Sequence, residues 1–202
     1  ADAVISDFES FSYLFGKHHN LPVISIDNMQ VINRCRLEVD IPHDDYGSYV
    51  TAKTVVKGKL PGCHHYLVTS FFFPPVRKAN TALFPPILRD KILEAEVSRG
   101  DHLLVYQTTT TNERLLDVLG KLDVPCKVYG LHRDETIGKL ELKGFSEDGF
   151  IKDLASSRGV LATGGFSLMG EAIYLKKPLL AVPLSGQFEQ VLNCLYLDKL
   201  GY

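Results

Sequence analysis

Short apolar runs alternate with stretches of helical periodicity along nearly the whole chain, and this alternation restricts the fold more than any other feature. Strands separated by helices pair in parallel, because a parallel crossover needs a dozen or more residues and a helix fills them. The chain is therefore expected to build doubly wound α/β units. Residues 3–6 read as a strand and 8–18 as a helix with Phe11, Leu14 and Phe15 on one face. Asn20-Leu21-Pro22 breaks that helix before a strand at 23–26. The spacing of Val31, Ile32, Cys35 and Val39 predicts a helix over 28–39. A further helix covers 46–56, and 65–71 is a strand rich in β-branched and aromatic residues.

Residues 72–86 change character. They hold Pro74-Pro75 and Pro85-Pro86 with little periodicity, which predicts an extended, semi-rigid connector. The expected division is 1–71 as the later part of a first domain, 72–86 as connector and 87–202 as a second domain. In the second domain strands are expected at 102–108, 126–130, 140–145, 160–163 and 179–183. Helices are expected at 112–122, 149–157, 167–176 and 187–200, with a hydroxyl-rich turn at 108–111. Ligands of such a sheet sit at the carboxyl ends of its strands.

Composition closes off several function classes. With 22 basic and 24 acidic residues the net charge is -2, which argues against nucleic acid as the main partner. No apolar run approaches the roughly 20 residues needed to span a bilayer. Cys35, Cys63, Cys126 and Cys194 are scattered without CxxC spacing, as expected of free thiols in a reducing cytoplasm. The strand at 3–6 opens without a preceding turn, and Leu200-Gly201-Tyr202 stops one step after a helix C-cap signal. A fragment cut at both ends is expected, with its first domain incomplete.

Chemistry is concentrated in Ala162-Thr-Gly-Gly-Phe-Ser-Leu-Met-Gly-Glu-Ala172. A buried strand runs into two glycines and then into a helix opened by Ser167. Such glycines let a ligand approach the backbone, and the first-turn N–H groups form an anion site. A tight turn with an ordinary N-cap is the plainer account. Glu171 argues against it, because a capping box would place the acid at Gly170. One turn on from Ser167, Glu171 shares its face, where vicinal hydroxyls of a ribose would suit a carboxylate beside a phosphate site. A second cluster, Pro183-Leu-Ser-Gly-Gln-Phe-Glu-Gln-Val-Leu-Asn193, sets Gln187, Gln190 and Asn193 at i, i+3 and i+6. A solvated helix face would carry Lys and Glu; neutral amides suit a sugar.

The order Gly-Gly-aromatic-Ser-x-x-x-Glu-Ala, Lys-Pro, a strand ending in Pro, then Glu-Gln-x-x-Asn resembles the donor signature of UDP-dependent GT-B glycosyltransferases. It is similar to plant secondary-product glycosyltransferases, UDP-glucuronosyltransferases and the N-acetylglucosaminyltransferase of peptidoglycan synthesis. It is most like a prokaryotic group with Gly-Gly-Phe-Ser and Gln-Phe-Glu-Gln runs. The likeness is tight over 160–202 and looser elsewhere. It implies an α/β GT-B fold, two Rossmann-like doubly wound parallel-sheet domains facing across a cleft.

The resemblance also implies roles. Glu171 would bind the donor ribose, while Thr163, Gly164, Gly165, Phe166 and Ser167 would hold the diphosphate. Gln187, Glu189, Gln190 and Asn193 would contact the donor sugar. Plant members carry a phosphate-binding His where this chain has Thr163, and the loop from Pro183 to Glu189 is longer here. Val-Ile-Ser-Asp7-Phe resembles the segment whose Asp orients a catalytic His, a residue expected upstream of Ala1. Glu9 is the neighbouring alternative for that role, and an N-cap is the structural alternative for Asp7. No cofactor or metal is implied; the donor is a UDP-sugar or another nucleoside-diphosphate sugar. Cys63-His64-His65 lacks a second ligand pair to complete a metal site.

The expected activity is glycosyl transfer to an acceptor hydroxyl on a glycan, a lipid-linked molecule or a small molecule. A cytoplasmic site of action is expected, with room for peripheral attachment to a membrane. Two rivals share the motif. An epimerase or hydrolase of this fold would turn over without an acceptor, and a nucleotide-sugar-binding subunit of a split glycosyltransferase would not turn over alone.

Overall fold

In the computed structural model, which describes residues 1–107 and 113–202, two largely parallel sheets carry the alternation read from the sequence. The turn expected at 108–111 and the first residue of the helix expected at 112 lie outside the described residues. The chain divides into two compact units, residues 1–87 with 185–196 and residues 88–184 with 197–202.

The first unit contains β1 (Val4–Ser6), α1 (Ser10–His18), β2 (Val23–Asp27), α2 (Val31–Arg34), a short 3-10 turn (His43–Asp45), α3 (Tyr46–Lys59), β3 (His65–Thr69) and β4 (Thr81–Phe84). Its strands pair in parallel in the order β1-β2-β3-β4. Val23, Ile32, Tyr66, Val68 and Phe72 form its core together with Phe188, Val191, Leu192 and Tyr196 from a late helix. Tyr196 stacks on Phe72 with ring centroids 3.8 Å apart and planes 6° from parallel.

Three local expectations give way here. The helix read over 28–39 shrinks to α2, because Cys35 turns extended (φ -112, ψ 163) and bridges Val76. Part of the stretch read as connector is β4, laid beside β3. Arg34 holds it there: Nε donates to Thr81 Oγ1 and Nη2 to the Ala79 carbonyl, each at 2.6 Å, with the guanidinium over the Tyr66 ring. In α1 the apolar face of Phe11, Leu14 and Phe15 is exposed, and Tyr13 and Gly16 are buried instead. Gly16 decides the orientation, since a Cβ there would lie 2.5 Å from Val23 Cγ2.

The second unit contains α4 (Asp90–Leu93), β5 (Leu103–Tyr106), α5 (Glu113–Gly120), β6 (Cys126–Tyr129), β7 (Glu135–Ile137), β8 (Leu140–Lys143), α6 (Glu147–Ser156), β9 (Gly159–Ala162), α7 (Phe166–Tyr174) and β10 (Leu179–Ala181). The six strands run in the order β10-β9-β5-β6-β8-β7, and only β7, which the sequence reading missed, is antiparallel. The remaining helix, α8 (Phe188–Lys199), is the one that supplies Phe188 to Tyr196 to the first unit. Strand β5 comes first in the second unit and lies between β9 and β6. The chain therefore winds outward through β6 and β8 and returns on the other side through β9 and β10. The switch point of the sheet is at the carboxyl ends of β5 and β9.

Helices cover both faces of this sheet. On one, Leu119 of α5 packs with Val105, Cys126, Val128 and Leu142. On the other, Asp153 of α6 accepts bonds from Lys127 Nζ (2.6 Å), Tyr129 Oη (2.6 Å) and Lys143 Nζ (2.8 Å). Burial alone would raise the Asp153 carboxyl, but the bonds from Lys127, Lys143 and Tyr129 outweigh it and hold it below the ordinary value. Its stabilisation is thus complete above the ordinary aspartate range and fades as pH falls through the lowered value. Asp153→Ala is expected to lose about 3 kcal/mol at pH 7, since Lys127 and the Tyr129 hydroxyl lose their partner and Lys143 keeps only Glu141, at 3.5 Å. Urea titrations at pH 7 and in acid check this: the wild type's acid loss should shrink in the variant. An unchanged urea midpoint at pH 7 would show that the network contributes nothing.

Candidate functional site

At the switch point β9 ends in Ala162 and the chain tightens through Thr163, Gly164 and Gly165. The Gly165 N–H donates to the Thr163 carbonyl at 2.8 Å. Gly165 is extended (φ -68, ψ 130) and is itself the N-cap of α7, with no side chain to satisfy the first turn. The helix thus begins at Phe166, and Ser167, expected as its opening residue, is its exposed second residue. First-turn N–H groups lack intrahelical carbonyl partners and carry the positive end of the dipole. Among the described residues nothing demands glycine at 165: its φ is ordinary and an added Cβ would meet none of their atoms within 4 Å.

Glu171 lies deeper in α7 and is only 6% exposed. Its carboxylate is held by a guanidinium fork, Arg89 Nε to Oε1 at 2.9 Å and Nη2 to Oε2 at 3.0 Å. Burial pushes the Glu171 carboxyl up, and the charge and hydrogen bonds of Arg89 only partly offset that. Arg89 caps α4 and also reaches Glu147 Oε1 at 3.0 Å, in the first turn of α6. Lys91 completes the chain of charges, on Glu147 Oε2 at 3.1 Å and Asp148 Oδ1 at 2.7 Å. Ser146 caps α6, and before it stands Phe145, at 87% the most exposed large apolar residue among those described. Phe145 stands two residues before Glu147, the second carboxylate that Arg89 reaches.

The sequence reading missed Arg89, Lys91 and Phe145. The two cations sit 82 and 56 residues from Glu171 and Glu147 respectively, beyond any local pattern. Phe145 left a usable signal: an aromatic between a strand end and a Ser N-cap has no core to enter.

The other candidate residues belong to the first unit. Ser6 Oγ donates to the Glu9 carbonyl at 2.7 Å and accepts the Glu9 N–H at 3.1 Å, closing a tip made of Asp7 and Phe8. Phe8 is left-handed, with φ 49. The N-cap of α1 is Glu9, whose carboxylate accepts the N–H groups of Phe11 (2.5 Å) and Ser12 (2.7 Å). Those bonds, Ser12's first, hold the Glu9 carboxyl below its ordinary value. Asp7 is exposed and takes no part in the cap. Close by is Asp27, buried at the end of β2, bonded to Ser25 Oγ and to the Gln30 N–H. Burial pushes Asp27 up against those bonds, and the charge of Asp7 adds to the rise.

Asn28, next along, donates to Glu189 Oε1 at 2.6 Å. Gln190 Nε2 donates to Gln187 Oε1 at 2.6 Å. The expected amide stripe is uneven: Gln190 and Asn193 are buried, whereas Gln187 precedes α8 and is exposed. Among the described residues no group of three or more His, Cys, Asp or Glu is arranged to hold a metal. No described helix is long and apolar enough to cross a membrane.

Residues 1–202 match the model of a family described as Glycosyl transferase family 1. MurG of Acinetobacter baumannii is 17% identical with a TM-score of 0.57, over 100% of this chain and 58% of that one. A UDP-glucosyltransferase from Polygonum tinctorium is 14% identical with a TM-score of 0.60, over 98% of this chain and 61% of that one. Arabidopsis thaliana UGT89C1, solved with UDP, is 14% identical with a TM-score of 0.61, over 98% and 57%. The chain thus spans about three fifths of the length of the structures it matches. None of the curated proteins compared matches it. At these identities the likeness is one of fold, and the fold is the α/β, GT-B one expected from the sequence.

Proposed function

Because the chain belongs to glycosyl transferase family 1, we propose that the complete protein moves a sugar from a UDP-sugar to an acceptor hydroxyl. One observation carries the reading: a buried carboxylate, Glu171, lies on the helix whose glycine-capped N-terminus opens at the switch point. The diphosphate would lie against the first-turn N–H groups of α7, with Thr163, Gly164, Gly165, Phe166 and Ser167 around it. Those donors stabilise the leaving diphosphate without a metal. The ribose diol would donate to the remaining lone pairs of the two Glu171 oxygens that Arg89 also holds. The base would stack on Phe145. Gln187, Glu189, Gln190 and Asn193 would take the sugar hydroxyls, and Asp7 would orient the base that deprotonates the acceptor. A cytoplasmic location, where nucleotide sugars and free thiols coexist, belongs with this reading.

Calorimetry with UDP tests the site. Glu171→Ala removes charge-assisted bonds and is expected to weaken UDP about ten- to a hundredfold. Phe145→Ala removes a stacking surface and should cost roughly five- to a hundredfold. Unchanged UDP affinity in both folded variants would remove the donor site. Turnover of UDP-sugar at full rate without an acceptor would replace transfer by hydrolysis or epimerisation, and binding without turnover in the full-length protein would leave a binding subunit.

A further inference from the structure

Resting on the placement of the ribose at Glu171, we propose that Arg89 is a positioning residue. It keeps the Glu171 carboxylate ionised and fixes its plane, and so sets the pH range over which the nucleotide binds. The geometry is on both sides of the pair. Glu171 is buried between Gly170 and Ala172, themselves buried, in a helix whose surroundings offer it little water. A carboxylate in that setting needs a partner or it takes up a proton. Arg89 supplies the partner as a fork, reaching both carboxylate oxygens. Two parallel bonds fix the plane of the carboxylate as well as its charge, which a point charge cannot do.

The remaining charges around the pair act against ionisation or balance one another. Glu147, from the first turn of α6, shares Arg89 and its charge pushes Glu171 up. Lys91, from α4, is taken by Glu147 and Asp148. Arg89 is therefore the one cation bonded to Glu171 among the described residues. Even with it in place, burial leaves the Glu171 carboxyl above its ordinary value. Removing Arg89 should carry the midpoint further up, and a protonated carboxyl offers the diol fewer acceptors and no charge.

The experiment follows the Glu171 carboxyl by ¹³C NMR in full-length wild type, Arg89→Met and Arg89→Lys, with Glu171→Gln for assignment and no nucleotide present. UDP affinity is measured on the same proteins from pH 6 to 8.5. In Arg89→Met the midpoint should rise by at least about one pH unit, a tenfold change in the ionised fraction. Its UDP affinity should fall about tenfold at the low end and recover as pH rises. Arg89→Lys should restore the midpoint but leave affinity reduced by a constant factor, because charge returns without the fork. Should the Met variant fail to fold, Arg89→Gln, which keeps a donor without charge, takes its place with the same expected rise.

An unshifted midpoint in either neutral variant overturns the role of Arg89. A shifted midpoint with affinity lost equally at every pH overturns its control of the binding range. If Glu171→Gln binds UDP like wild type, it is the ribose placement that fails, and with it the link from Arg89 to binding.

Discussion

Asp7→Asn, made in the full-length protein, is expected to lower kcat by about 10²–10⁴-fold while leaving UDP affinity within about twofold. Asp7 directly follows β1 at the carboxyl edge of the first sheet, where side chains of a parallel sheet meet ligands. The tip that carries it is built at a cost. Phe8 is a bulky residue in the left-handed region, which surroundings must enforce. Here the Ser6 hydroxyl closes the tip from below, and Lys59 Nζ lies 4.2 Å from the centre of the Phe8 ring. Nothing in capping explains the strain, since Glu9 does that work. In the proposed mechanism Asp7 touches neither donor nor acceptor. Its proposed part is to orient the base that deprotonates the acceptor.

Glu9→Gln is the control. Its carboxylate is engaged by Phe11 and Ser12, so the change should disturb α1 and leave kcat within about twofold. The pair of variants separates the two acids that the sequence alone left as alternatives. A fall in kcat with Glu9→Gln and none with Asp7→Asn would exchange their roles. Equal loss of UDP affinity and kcat in Asp7→Asn would mean that it acts on binding and not on the base.

Gly130→Ala is expected to destabilise the second unit by roughly 3–5 kcal/mol, from backbone strain and overpacking together. Gly130 follows β6 with φ 94, outside the region that L side chains adopt readily. A Cβ there would sit 1.8 Å from the Gln107 carbonyl oxygen and 2.9 Å from its carbon. Both are backbone atoms, and Gln107 is tied to β6 through its N–H on the Tyr129 carbonyl at 3.1 Å. Relief therefore requires the carboxyl ends of β5 and β6 to part, next to the switch point. Gly165→Ala is the useful contrast. Its φ is ordinary and its Cβ would meet no atom of the described residues within 4 Å, so stability should change by less than about 1 kcal/mol. The added methyl would instead stand where the diphosphate is placed and weaken UDP. Thermal melts and calorimetry on both variants check the contrast. A Gly130→Ala protein that melts with the wild type would show that the β5 and β6 ends are free to move.

What the sequence determined by itself is local in character. Strand and helix periodicity repeats within a few residues, so the α/β class and most elements of the second unit were legible. The strand–Gly-Gly–helix string was legible for the same reason, because a turn and the helix it opens are set by neighbouring residues. Cap positions were less secure: Gly165 opens α7 instead of Ser167, and Glu9 caps α1, since the choice depends on where the sheet releases the chain. The tertiary structure decided the rest. Cys35 left its expected helix because Val76 offered it a backbone partner, and residues 81–84 became a strand because β3 had an open edge beside Arg34. Phe11, Leu14 and Phe15 had the spacing of a core stripe, yet the close approach permitted by Gly16 turned Tyr13 inward. Glu171 was legible as an acid out of place, but Arg89 was not legible as its partner. Asn28 and Glu189 lie 161 residues apart and meet at 2.6 Å. Backbone rules act over about one helical turn, whereas a buried charge or an open strand edge must be satisfied by whatever the chain brings back to it.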